Sequence, residues 1–109
     1  MSDIDTVIDQ ALAAANQELV ANVLRIGERD MCGFAWAKIR PARGPVVKAL
    51  RARGIGEKDD YQGGYRISSY DVIPNYRGQS ITIKEESMRA FCAVLRELGV
   101  SISVGSRLD

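Results

Sequence analysis

Cys32-Gly33-Phe34-Ala35-Trp36-Ala37-Lys38-Ile39-Arg40-Pro41 is the stretch whose reading decides the fold. It holds the single Trp and one of the two Phe, and no residue from Met31 to Ala37 is charged. An apolar run of this length, stopped by a proline, predicts a strand buried on both faces in the middle of a sheet. Its far end changes character, because Lys38 and Arg40 alternate with Ile39. The strand therefore leaves the core carrying cations, toward an edge where a ligand could be met.

Outward from that strand, the chain has room for one hydrophobic core and not two, with 109 residues in all. The expected organisation is a single domain, 1–109, made of a long N-terminal helix with its connection (1–30) and an α/β core (31–109). No apolar run approaches a membrane span, and the acidic start Met1-Ser2-Asp3-Ile4-Asp5 resembles no leader sequence. A cytoplasmic protein with no membrane partner is expected. Cys32 and Cys92 both sit in apolar patterns and read as buried, reduced thiols. The net charge of +1 conceals a segregation. Residues 1–30 are acidic, whereas Lys38, Arg40, Arg43, Lys48, Arg51 and Arg53 follow one another with no acid between them. Arg outnumbers Lys eleven to four, a bias that suits phosphate or carboxylate recognition and that genomic base composition also produces. The chain has no histidine, which excludes Ser-His-Asp and Cys-His nucleophilic machinery and His-containing metal sites.

Along the chain, Asp3 to Ile26 reads as one amphipathic helix, capped by Ser2 or Asp3, with its stripe on Ile4, Val7, Ile8, Ala11, Leu12, Ala15, Leu19, Val23 and Ile26. A helix of that length spans about 36 Å, more than a small domain. Either it pairs with a second copy in a homo-oligomer or it bends across its own sheet. Glu28-Arg29-Asp30 connects it to the central strand. Gly44-Pro45 opens a short second helix, Ile55 to Gly64 reads as a polar loop, and Tyr65 to Val72 as a second strand. A third helix starts at Ser80 or at the Thr82-x-x-Glu85 capping box, buries Met88, Phe91, Cys92, Leu95 and Leu98, and stops at Gly99. Val100, Ile102 and Val104 alternate with serines in a last strand. The expected class is α+β, in the order αβαβαβ, with helices on a three-stranded sheet.

Three constellations carry chemistry, each with a plainer reading beside it. The run Lys38, Arg40, Arg43 continues to the start of the second helix, where backbone N–H groups favour an anion; the plainer reading is a solvated face balancing the acidic first helix. Arg77, Gln79, Ser80 and Lys84 surround the start of the third helix and could grip an oxyanion, or Ser80 is only its cap. Tyr61, Tyr65, Arg66 and Tyr70 flank Gly63-Gly64, where tyrosines could stack on a base beside an arginine, or the glycines only make a turn. Ser106, Arg107 and Asp109 complete the candidate ligand-binding set. With a strand following the third helix, Arg77 and Arg107 are expected about one helix length apart in a subunit, roughly 24 Å. A site using both would then need two subunits.

The string Cys32 to Trp36, together with Gly63-Gly64, Gln79-Ser80, Lys84-Glu85, Ala90-Phe91 and the closing Gly105-Ser106-Arg107-Leu108-Asp109, resembles a group of small proteins encoded by bacteriophage genomes. The resemblance runs from Cys32 to Asp109 and implies a viral context without naming a chemistry. With the arginine excess, the tyrosines near Gly63-Gly64, the two anion-ready helix starts and the missing histidine, the expected function in that context is non-enzymatic: capture of a phosphate-bearing small molecule, such as a host immune signalling nucleotide. The alternative is an inhibitor that binds a host defence complex, anti-CRISPR proteins being one such kind, through its segregated charge and long helix. A third reading is an enzyme acting on nucleotides through Lys84 and Arg and Asp side chains. No catalytic residue, metal or cofactor is assigned, and direct nucleic-acid binding is possible but not favoured.

Overall fold

The computed structural model describes residues 3–27 and 30–109. The Ser2 cap and the Glu28-Arg29 part of the first connection lie outside the described residues. The elements in chain order are α1 (Ile4–Ile26), β1 (Gly33–Ile39), α2 (Pro45–Ala52), β2 (Glu57–Lys58), β3 (Tyr65–Ser68), α3 (Ser69–Val72), α4 (Ile81–Leu95) and β4 (Ile102–Leu108). A 3-10 turn, Arg96–Leu98, extends α4 as far as Gly99. The α+β class and the long first helix are as expected.

The sheet differs from expectation in count and order. It has four strands, all antiparallel, in the order β2-β3-β1-β4. The extra strand is the two-residue β2, inside the stretch expected as loop, which pairs Glu57 with Arg66 and Lys58 with Tyr65. The strand expected over Tyr65–Val72 stops at Ser68. There the Ser68 hydroxyl accepts the Tyr70 N–H and caps α3, a local bond that a serine offers in competition with the strand ladder.

β1 is central, as expected, but it is not buried on both faces. Gly33, Ala35, Ala37 and Ile39 face the helices and are buried, while Phe34 and Trp36 on the other face are only half-buried. The helix-facing side carries small residues because α4 lies close against it: an added Cβ on Gly33 would come within 2.6 Å of the Ile81 side chain. The large aromatic residues occupy the face that no helix covers.

α1 packs chiefly on α4, and α4 in turn on β1 and β4. Val7, Ile8, Ala11, Ala15 and Leu19 of α1 and Ile83, Met88, Phe91, Cys92 and Leu95 of α4 belong to one buried cluster with Ala35, Ala37 and Ile39 of β1. Replacing fully buried Phe91 by Ala would cost about 3–5 kcal/mol. α1 is 23 residues long, about 34 Å, and the molecule's longest dimension is 39 Å. Its own domain therefore covers most of the stripe, and the exposed apolar side chains gather at its C-terminal end: Val20 (62%), Val23 and Leu24 (84%). Of the two thiols expected to be buried, Cys92 is, and burial pushes its pKa up to about 11. Cys32 is exposed, since it lies one residue before the ladder of β1. No helix among the described residues is long and apolar enough to cross a membrane.

Candidate functional site

The uncovered face of the sheet is the candidate site. Even-numbered residues of β1 point there, and so do their cross-strand neighbours. Phe34 stands opposite Arg107, Trp36 opposite Gly105, and Lys38 between Arg66 and Ser103. The Trp36 ring lies over Gly105, occupying the space a side chain would fill: a Cβ there would be 2.5 Å from the indole nitrogen. The Arg66 guanidinium stands 4.8 Å from the centre of the Trp36 ring, and that of Arg107 stands 5.6 Å from the centre of Phe34. Both are cation–π contacts. They hold two planar cations beside two aromatic platforms on a fixed β floor.

The segment 59–64 forms a wall over this floor. Lys38 Nζ donates to Asp59 Oδ2 at 2.6 Å, and Asp59 Oδ1 accepts the N–H groups of Tyr61 and Gln62 at 3.0 Å each. Arg40 donates to the Gln62 carbonyl at 3.1 Å. Gly63 and Gly64 both take positive φ, so the plainer reading of that pair, a turn into the next strand, describes its backbone. The hydrogen bond from Lys38, followed by those from Gln62 and Tyr61, holds the Asp59 carboxyl well below the usual carboxylate range. At the tip, the Tyr61 side chain is fully exposed. Wall and floor enclose a cavity of about 420 Å³, bounded by Phe34, Trp36, Lys38, Arg66 and Arg107. A second cavity, about 540 Å³, adjoins it across Phe34 and Arg66 and is rimmed by Tyr70, Glu57 and Asp71. Both volumes lie in the range of small-molecule sites.

Lys84 lies behind this second cavity. Its side chain is 1% exposed, donates to the Gly33 carbonyl at 2.8 Å, and stands 5.5 and 5.3 Å from the rings of Phe34 and Tyr70. No carboxylate pairs with it among the described residues. A buried ammonium held by one carbonyl and two ring faces leaves a positive potential beneath the aromatic floor.

The start of α4 is arranged differently from the anion grip expected there. Ser80 caps the helix, its Oγ accepting the Ile83 N–H, and Glu85 does not turn back to complete a capping box. Asp30 occupies the place an external anion would take: Ser80 Oγ donates to Asp30 Oδ2 at 2.6 Å, and the Thr82 N–H donates to the same oxygen at 2.9 Å. These bonds, the Ser80 hydroxyl first, hold the Asp30 carboxyl well below the usual range. The helix terminus is thus satisfied from within the chain.

The expected separation of Arg77 and Arg107 is also corrected. α4 and β4 are joined by a short turn and run in opposite directions, so the end of β4 returns to the start of α4. Ser106 Oγ bonds the Glu85 carboxylate on the first turns of α4, and Cys32 bridges Ser80 while its carbonyl accepts the Asp109 N–H. One subunit brings the two ends together. The two arginines nevertheless line different cavities, Arg77 with Asp30, Tyr76 and Ser80, and Arg107 with Phe34 and Trp36.

Of the residues singled out from the sequence, Lys38, Arg66 and Arg107 meet at the first cavity and Arg66 and Tyr70 at the second, with Lys84 behind it. Arg40 fixes the wall. Arg77, Gln79 and Ser80 form the separate cluster at α4, and Ser106 and Asp109 make intramolecular bonds at the end of β4. Tyr65 leaves the set: it is wholly buried on the helix side of β3, its hydroxyl donating to the Ile55 carbonyl, because its odd position on β3 shares the face of Ile67. In the basic run, Arg53 pairs with Asp5 and Asp9 of α1, as the balancing reading has it. Sequence reasoning missed Phe34 and Trp36 as site residues, and also Asp59, Gln62 and Glu57. The available signal was size: small and large apolar residues alternate from Gly33 to Ala37, and the large ones mark the face without a covering layer.

Among the described residues, no group of three His, Cys, Asp or Glu side chains could hold a metal ion. The fold and site together define an α+β domain with one open, aromatic and arginine-lined sheet face. In comparisons with protein-family models, curated proteins and solved structures, none matches the chain.

Proposed function

We propose that this protein is a non-enzymatic binder of a nucleotide-type ligand, an aromatic base bearing phosphate, held on the open face of the sheet. The observation that carries the reading is the pairing of Trp36 and Phe34 with Arg66 and Arg107 above a cavity walled by a preformed segment. Bases stack on aromatic rings whatever their identity, and the guanidinium forks match phosphate oxygens two at a time. The resemblance to bacteriophage proteins gives such binding a setting, the withdrawal of a host nucleotide signal inside the infected cell. The test uses Trp36, whose emission is the only indole signal in the chain. Titration with nucleoside monophosphates is expected to quench that emission and raise the Tm, whereas the matching nucleosides bind more weakly. Arg66→Ala and Arg107→Ala should each weaken the nucleotide at least tenfold while keeping the melting transition. Wild-type protein whose emission and Tm are unmoved by millimolar nucleotide overturns the reading.

A second reading, association with another protein, is favoured by the apolar end of α1. There Leu19, Val20, Val23 and Leu24 border a shallow, mostly apolar cavity with Tyr76. The partner we assign to it is a second copy of the chain, in a homo-oligomer, in preference to a host defence complex.

A further inference from the structure

We propose that the ligand presents two bases joined by a phosphodiester, one base in each of the two adjoining cavities. The inference rests on reading the open face as a nucleotide site. The two cavities share Phe34 and Arg66, so they are compartments of one trough across the sheet. Their linings differ in kind. The first holds Trp36 with Arg66 and Arg107, its one carboxylate, Asp59, being paired with Lys38. The second holds the faces of Phe34 and Tyr70 with two carboxylates, Glu57 and Asp71, at its rim.

Asp71 Oδ2 already accepts the Gly56 N–H at 3.1 Å, and Glu57 stands exposed opposite Arg66. Two carboxylates repel a terminal phosphate but accept hydrogen bonds from the N–H edge of a base. The second compartment therefore suits a base and not a second phosphate group. Phe34 and Trp36 are two residues apart on one face of β1, about 6.7 Å along the strand; the Arg66 guanidinium lies over Trp36, so the first base stacks on that guanidinium plane and the second meets Phe34 and Tyr70. Arg66, on the floor common to both compartments, stands where the linking phosphate passes. Lys84, buried behind Phe34 and Tyr70, adds a fixed positive charge beneath the second compartment. The shared chemistry is that of a dinucleotide unit, whether a free small molecule or a stretch of single strand.

The experiment compares a nucleoside monophosphate, a dinucleoside monophosphate carrying a 5′ phosphate, and a tetranucleotide by quenching of Trp36. Wild-type protein is expected to bind the dinucleotide at least tenfold more tightly than the mononucleotide, the gain typical of one further stacked base. Tyr70→Ala, at a half-exposed position, should lose that gain while retaining the mononucleotide. Equal affinity for the two overturns the two-base inference and leaves the single-nucleotide function standing. Failure of both ligands removes the function itself. A tetranucleotide no tighter than the dinucleotide identifies a free dinucleotide as the source, and a further rise with length identifies a nucleic-acid strand.

Discussion

Gly105 has no side chain, and Trp36 uses the space. The indole lies flat over the β4 backbone only because nothing projects there, and Arg66 then stands against its face. A Cβ at 2.5 Å from the indole nitrogen cannot be accommodated in place. The ring, however, is the far end of a side chain that can swing toward solvent on the open face. Gly105→Val is therefore expected to move the ring without unfolding the sheet, where a branched residue suits the strand. The Trp36 emission should shift to the red, the Tm should change by the equivalent of about 1 kcal/mol or less, and nucleotide affinity should fall. A mutant with unchanged emission would place the ring elsewhere. Lys38 is the other residue whose role depends on a neighbour. Its charge belongs to Asp59, so it holds the wall upright, and the cations free to meet a ligand in the first compartment are Arg66 and Arg107.

At the scale of elements, β1 and α4 do most of the positioning. β1 separates its two faces by size, with small residues under α4 and aromatic rings toward the open side. α4 brings Lys84 beneath Phe34 and fixes the end of β4 through Glu85 and Ser106. Its start is held by Ser80, which caps the helix and bonds Asp30 at once. Ser80→Ala removes the cap and one donor to Asp30, so a loss of about 1–2 kcal/mol is expected, read as a lower midpoint in urea with an unchanged slope. No loss of stability would mean that Asp30 caps the helix unaided through the Thr82 N–H. Because Asp30 already supplies the negative charge there, added phosphate should not stabilise this terminus.

At the scale of the whole molecule, the helices form one side and the open aromatic face of the sheet the other. α1 covers α4 through Val7, Ile8, Ala11, Ala15 and Leu19, so it is part of the core and not an appendage. Only its last turns offer apolar surface, and a dimer made there leaves the aromatic face of the sheet free. If that end joins two copies, Leu24→Glu, at a position 84% exposed, should lower the particle mass seen by light scattering without lowering the Tm of the folded monomer. Equal mass for wild type and variant at the same concentration would remove the homo-oligomer reading.

The sequence by itself determined the helices α1, α2 and α4, the central strand and the polar character of the connections. Those are local properties: apolar spacing, a proline at a helix start, glycines at helix ends. It also pointed to Lys38, Arg66, Arg107 and Tyr70, since cations and aromatic residues near strand ends carry their chemistry wherever they fall. Three matters rested with the tertiary structure. Whether β1 was buried on one face or two depended on how many helix layers the chain could build, and it built them on one side only. Whether Ser80 awaited an anion depended on Asp30, which reaches it from fifty residues away. Whether Arg107 stood near the start of α4 depended on the direction of β4. Each is a contact between distant parts of the chain, and periodicity, which reads only neighbours, carries no record of it.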